Sequence, residues 1–133
     1  MKEIFKIGDR ISVDHVVSDN DVAAFKGVTV HNVCSTYALA REMEWSSRQF
    51  VLKMKEEDEE GIGTHLTIDH KGPAFVGELI KIEAEIIEWN DNELICAIIA
   101  KVKNRIVATG KTGQKVLKKT AIKEIFSKFG HNE

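Results

Sequence analysis

Residues 35–61 read STYALAREMEWSSRQFVLKMKEEDEEG. This is the one long helical pattern in the chain, and the rest is expected to wrap it. At about 100° per position, Leu39, Ala40, Met43, Phe50, Val51 and Met54 share an arc of about 120°, interrupted only by Thr36 and Ser47. Ser35 is placed to cap the start and Gly61 to occupy the position just past the end. The acidic run Glu56–Glu60 opposes the dipole there, which predicts a frayed, solvated last turn. Glu44 sits just past the edge of the apolar arc, between Val51 and Tyr37. A carboxylate in that position is costly unless something pairs or uses it. Arg41 and Arg48, on neighbouring turns, are the candidate partners.

On either side of this stretch the period is two. Ile11, Val13 and His15 alternate with Ser12 and Asp14 within residues 5–17, preceded by a Gly8-Asp9 turn, which predicts a strand. Ser18-Asp19-Asn20-Asp21 offers caps for a short helix through Phe25. GVTVHNVC (27–34) is unpatterned and reads as a loop. After Gly61, Leu66, Ile68 and His70 fall on one face and His65, Thr67 and Asp69 on the other, up to the Lys71-Gly72-Pro73 break. Ile80, Ile82, Ala84 and Ile86 face inward on the next strand. Asn90-Asp91-Asn92 turns the chain, and Leu94–Val102 is apolar on both faces through Ala100, as in a strand covered on two sides. Lys103-Asn104-Arg105 turns again and Ile106–Leu117 closes the sheet. Ile122, Ile125, Phe126 and Phe129 then predict a short amphipathic helix at about 120–129. The expected architecture is α+β: a strand, the long helix, then four antiparallel strands in a meander, giving a five-stranded antiparallel sheet wrapped around one long central helix. One helix cannot bury both faces of such a sheet, so a second copy of the chain is expected over the outer face, making a homodimer. This is the hot-dog fold.

The 133 residues are expected to form a single domain, 1–133. Charged residues are 30% of the chain and the formal net charge is −2. No basic stripe argues for nucleic acid, and no uninterrupted apolar run reaches the ~18 residues of a membrane span. MKEIFKIGDR carries charge where a secretion signal would be apolar. Two cysteines make neither a disulfide framework nor a metal-site spacing, so no metal is expected and a reduced, cytoplasmic setting is the default.

Thr36 would lie in the first helical turn, near the positive end of the dipole and its unpaired N–H groups. Glu44 follows two turns on. His70 ends the first strand after the helix. Hydroxyl, carboxylate and imidazole are the parts of an acyl-transfer site, and the helix N-terminus adds oxyanion donors. Each residue also has a structural reading: Thr36 as a cap, Glu44 as a rim carboxylate paired with an arginine, His70 as the start of a Gly-Pro turn. His31 and Cys34 precede the helix and can line a cleft, although a buried, inert Cys34 is the simpler reading.

The run Thr36-Tyr37-Ala38-Leu39-Ala40-Arg41-Glu42-Met43-Glu44-Trp45, then Gly63-Thr64, His70 and Val76-Gly77, resembles the fluoroacetyl-CoA thioesterase family of hot-dog enzymes. The likeness spans roughly residues 5–117, with the Thr-to-Glu and Glu-to-His spacings matched without a gap. It implies a homodimeric acyl-CoA thioesterase with Thr36, Glu44 and His70 in the catalytic positions and Gly63 near the thioester carbonyl. Thr64, His31 and Cys34 are the remaining substrate-binding candidates. Family members tend to carry a Gly-x-Gly-Thr-His-x-Arg run in the last strand. Here Gly110-Lys111-Thr112-Gly113-Gln114-Lys115 lacks the His and Arg, so no coenzyme A contact is carried over to that strand. With no aromatic in Gly27–His31, fluoroacetate specificity is not carried over either.

The expected reaction is hydrolysis of a short-chain acyl-CoA to free acid and CoA, with no cofactor beyond the coenzyme A of the substrate. Two alternatives stand beside it. One is a hot-dog enoyl-CoA hydratase or dehydratase, of whose His-and-acid pair only His31-Asn32 remains. The other is a non-enzymatic acyl-CoA-binding module.

Overall fold

The computed structural model describes residues 1–130; the last three residues of the expected 1–133 domain lie outside them. Helix α1 runs Thr36–Met54, with the Ser35 side chain accepting from the Ala38 amide as its cap. Leu39, Met43, Phe50, Val51 and Met54 are completely buried, as the arc requires. Each buried side chain of this size contributes roughly 1.5–3 kcal/mol.

The helix ends earlier than expected. Its cap, Lys55, is already extended, and the acidic run does not fray as helix. The Glu56 amide donates to the Glu59 carboxylate, the Glu59 amide returns to the Glu56 carbonyl, and the chain turns straight into a strand. Gly61 is therefore not a helix cap. It lies inside that strand, where a Cβ would sit 2.8 Å from Val51 Cγ1, so its bareness lets the strand close on the helix.

The strands are β1 (Arg10–Val16), β2 (Val22–Phe25), β3 (Val28–Cys34), β4 (Glu59–His70), β5 (Leu79–Asn90), β6 (Glu93–Val102) and β7 (Arg105–Lys118), followed by helix α2 (Lys119–Ser127). Five of them form one antiparallel sheet in the order β1-β5-β6-β7-β4. The expectation of a four-strand meander after the helix is corrected here. Only β5-β6-β7 is a meander, while β4 crosses to the far edge and pairs with β7. The periodicity of β4 had no information about its neighbour.

A second correction concerns residues 19–34. The helix expected through Phe25 stops after one 3-10 turn, Asp19–Asp21, and the expected loop is a strand. β2 and β3 form a hairpin whose turn residues, Lys26 and Gly27, have φ of 51° and 80°, the geometry favoured for two-residue hairpins. Phe25, Val28 and Val30 are all exposed, so no inward face imposes a period of two.

Ile80, Ile82, Ala84 and Ile86 of β5 and Leu94, Cys96, Ile98 and Ala100 of β6 pack on the helix. The outer face of β6 is only partly covered in the single chain, with Ile99 40% exposed. α2 starts one residue before the expected 120 and ends at Ser127; it buries none of its residues completely, and Phe129 is exposed.

Candidate active site

The start of α1 is fixed from both sides. The Ser35 hydroxyl takes the Ala38 amide, and the Ser35 amide donates to the Asp21 carbonyl at 2.7 Å. This leaves the Thr36 and Tyr37 amides, which have no partner inside the helix, beside the Thr36 hydroxyl. β4 runs past the helix and ends at His70, whose Nδ1 lies 2.9 Å from Thr36 Oγ1.

Glu44 lies further along the same helix, on the wall of a groove of about 500 Å³ between α1 and β4. Tyr37, Trp45, Gly63, Leu66 and Gln114 also line it. A Cβ on Gly63 would sit 3.5 Å from Glu44 Oε2, so the strand backbone passes directly over the carboxylate. Neither candidate arginine takes it. Arg41 bonds Asp21 and Glu42, and Arg48 bonds Glu60 at 3.0 Å.

The sequence-predicted residues are thus brought together in two pairs, Thr36 with His70 and Glu44 with Gly63. Eight positions of helix separate them, about 12 Å of axial rise. The other candidates lie elsewhere. Thr64 sits at a bulge in β4 and spends its hydroxyl on Glu93 at 2.6 Å. His31 is exposed on β3. Cys34 is completely buried, and burial, with the nearby Asp21 charge, pushes its thiol up to about 11.

Two residues of this region carry no signal in the sequence alone. Ser47, which merely interrupted the apolar arc, is buried and accepts from Thr112 (2.8 Å) and Gln114 (3.1 Å), while donating to the Glu44 carbonyl. This network ties the Glu44 turn to β7. Asp21, read only as a helix cap, is a buried carboxylate. Burial pushes it up, but hydrogen bonds from the Ser18 amide, His15 and Arg41 outweigh that and hold it at about 2.

Among the described residues no cluster of three or more His, Cys, Asp or Glu could hold a metal ion, and no helix is long and apolar enough to cross a membrane.

No curated protein matches the chain by sequence. A Thermus thermophilus hypothetical protein, a thioesterase superfamily member, superposes with a TM-score of 0.89 at 25% identity, covering 96% of this chain and 95% of that one. A hot-dog-like protein from Thermanaerovibrio acidaminovorans superposes with a TM-score of 0.86 at 20% identity, covering 98% and 97%. A single-residue variant of a fluoroacetyl-CoA-specific thioesterase gives a TM-score of 0.85 at 17% identity, covering 96% and 98%. Residues 17–120 match the profile of the fluoroacetyl-CoA-specific thioesterases. The chain therefore belongs to that family, and is a hot-dog thioesterase acting on acyl-CoA thioesters.

Proposed function

We propose that the protein hydrolyses short-chain acyl-CoA thioesters, with Thr36 as nucleophile, His70 as its base and Glu44 as the carboxylate that orients the hydrolytic water. The observation that carries this reading is the 2.9 Å contact between Thr36 Oγ1 and His70 Nδ1 at the first turn of α1. His70 takes the hydroxyl proton as Thr36 Oγ bonds the thioester carbonyl carbon, and the helix amides hold the oxyanion. The C–S bond then breaks, and the proton passes from His70 to the departing CoA sulfur. Water, positioned by Glu44 and deprotonated by His70, cleaves the acyl-Thr36 ester to free acid and restores the hydroxyl.

The two contact pairs lie eight helix positions apart, about 12 Å of axial rise along α1. The protein acts as a homodimer on this reading, its seam running along the open edge of β4, where Gly63, Leu66 and His70 are carried. Exposed Tyr37 and Leu66 beside that edge support the same arrangement. Tyr37 and Trp45 line the groove and are the bulky side chains that would limit the acyl chain. A single-residue variant of a fluoroacetyl-CoA thioesterase, 16% identical to this chain, has been crystallised with acetyl-CoA.

The test is thiol release over a panel of acyl-CoA chain lengths with the parent, Thr36→Ala, Glu44→Gln and His70→Ala. Losses of about 10²-fold or more in kcat are expected for each variant. Trapping an acyl group on Thr36 by rapid quench and mass spectrometry would assign the nucleophile, and equal turnover by all four proteins would end the reading.

A further inference from the structure

Glu44 is flanked on its own helix by Arg41, three residues earlier, which is neighbour spacing for an ion pair. Both residues line the groove. Yet the guanidinium turns the other way, toward a closed ring of four side chains. Arg41 Nη2 bonds Asp21 Oδ1 at 3.0 Å and Arg41 Nε bonds Glu42 Oε2 at 2.8 Å. His15 closes the ring, with Nε2 2.8 Å from Asp21 Oδ2 and Nδ1 3.4 Å from Glu42 Oε1. Asp21 is the anchor. It is 3% exposed, and its Oδ2 also accepts from the Ser18 amide at 2.9 Å and the Ser18 hydroxyl at 3.1 Å. A buried carboxylate with this many donors keeps its charge and its place. Arg41 itself is half exposed and long, and its hydrogen bonds to Asp21 and Glu42 direct its guanidinium into the ring.

We infer that Asp21 is a positioning residue for the thioesterase reaction: by holding the Arg41 guanidinium in the His15–Asp21–Arg41–Glu42 ring, it keeps Glu44 free of an arginine partner. The inference rests on the reading that Glu44 acts in hydrolysis. A free carboxylate can orient and polarise a water, whereas one locked to a guanidinium has its lone pairs committed. The backbone carbonyl of Asp21, which receives the Ser35 amide, survives a side-chain substitution. Asp21→Asn therefore separates the hold on Arg41 from the fixing of the helix start.

Two measurements decide the matter. The first is independent of activity: the side-chain Nε–H resonance of Arg41, followed by ¹⁵N NMR with and without Glu44→Gln. In the parent this signal is indifferent to Glu44→Gln, and in Asp21→Asn it responds, because the freed guanidinium has moved to Glu44. Glu42→Gln, which loosens the same hold from the solvent side and serves if Asp21→Asn does not fold, gives a smaller response. A response already present in the parent, or none in either loosened variant, overturns the inference.

The second is kinetic. Asp21→Asn is expected to lower kcat roughly 3- to 10-fold with KM little changed. Asp21→Asn/Arg41→Met is expected to regain most of that loss, since the misdirected cation is gone. A double variant as slow as Asp21→Asn overturns the inference by reducing Asp21 to a structural role. Glu44→Gln alone distinguishes the underlying reading: parental kcat there removes Glu44 from the reaction, while the NMR result still reports where Arg41 sits.

Discussion

Thr36 Oγ1 and His70 Nδ1 stand 2.9 Å apart, one on the first turn of α1 and the other at the last residue of β4. Neither element depends on the contact for its position, because Ser35 caps the helix and the β7 ladder holds β4 through Ala108 opposite His70. Removing either side chain should therefore leave the fold intact and act on chemistry. Thr36→Ser, which keeps the hydroxyl, is expected within about 10-fold of the parent in kcat, and Thr36→Val, which keeps only the shape, about 10²-fold or more below it. If the two residues act as one unit, Thr36→Val/His70→Ala is no slower than the worse single variant. Steady-state thiol release from acetyl-CoA makes the comparison, and losses that multiply in the double variant would show two independent roles.

The helix and the strands of the main sheet were legible in the sequence because burial writes a period. The 3.6-residue arc of Leu39, Met43, Phe50 and Val51 and the alternation of Ile80, Ile82 and Ile86 both report one apolar face. β2 and β3 were not legible for the same reason. Phe25, Val28 and Val30 are exposed, so their order along the chain carries no facing. Strand partners were also hidden: alternation in β4 says which side chains point inward, not that Ala108 rather than a residue of β5 lies across from His70. At the site, Thr36, Glu44 and His70 could be picked out as polar residues at apolar boundaries. Asp21 could not, because a carboxylate after Ser18 looks like an ordinary cap until His15 and Arg41, from two other elements, are seen to converge on it.

That convergence has a consequence for acid stability. The Asp21 carboxyl titrates at about 2 in the folded protein, against an ordinary value of 3.8. Its folded value is depressed, so its contribution to stability is complete above about pH 4 and disappears as the pH falls toward 2. The shift corresponds to about 2 kcal/mol for this nearly fully buried group. Urea midpoints measured from pH 6 to pH 2 should fall more steeply for the parent than for Asp21→Asn between pH 4 and 2. Parallel curves for the two proteins would mean that the ring adds no net stability.

The two cysteines bear on how such experiments are run. Cys34 and Cys96 are both buried and free. Burial pushes the Cys96 thiol up to about 12, and Cys34 is held at about 11. Reaction needs the thiolate and access to it, and both are suppressed here. Native protein at pH 8 should leave a disulfide-exchange reagent such as Ellman's unreacted over the minutes of a turnover assay, and denatured protein should release two equivalents per chain. Rapid labelling of the native protein would mean that the core around α1 opens on that timescale.

Two glycines on facing strands should respond in opposite ways to the same substitution. At Gly63 an added methyl would stand 3.5 Å from Glu44 Oε2, an ordinary contact, and would point into the groove. At Gly110 it would collide with the Thr67 carbonyl oxygen and come within 2.8 Å of Met43 Cε in the core. Backbone of a paired strand cannot step aside as a side chain can, so Gly110→Ala is expected to destabilise by about 3 kcal/mol. Gly63→Ala is expected to change stability by no more than about 0.5 kcal/mol, the range of substitutions that strain nothing. Its effect falls on turnover instead, with kcat/KM lowered about 10-fold because the methyl crowds the carboxylate that Gly63 leaves open. Thermal unfolding and thiol release on the two variants separate the effects. A Gly63→Ala protein that is unimpaired in turnover would show that the acyl group does not approach Glu44 past this strand.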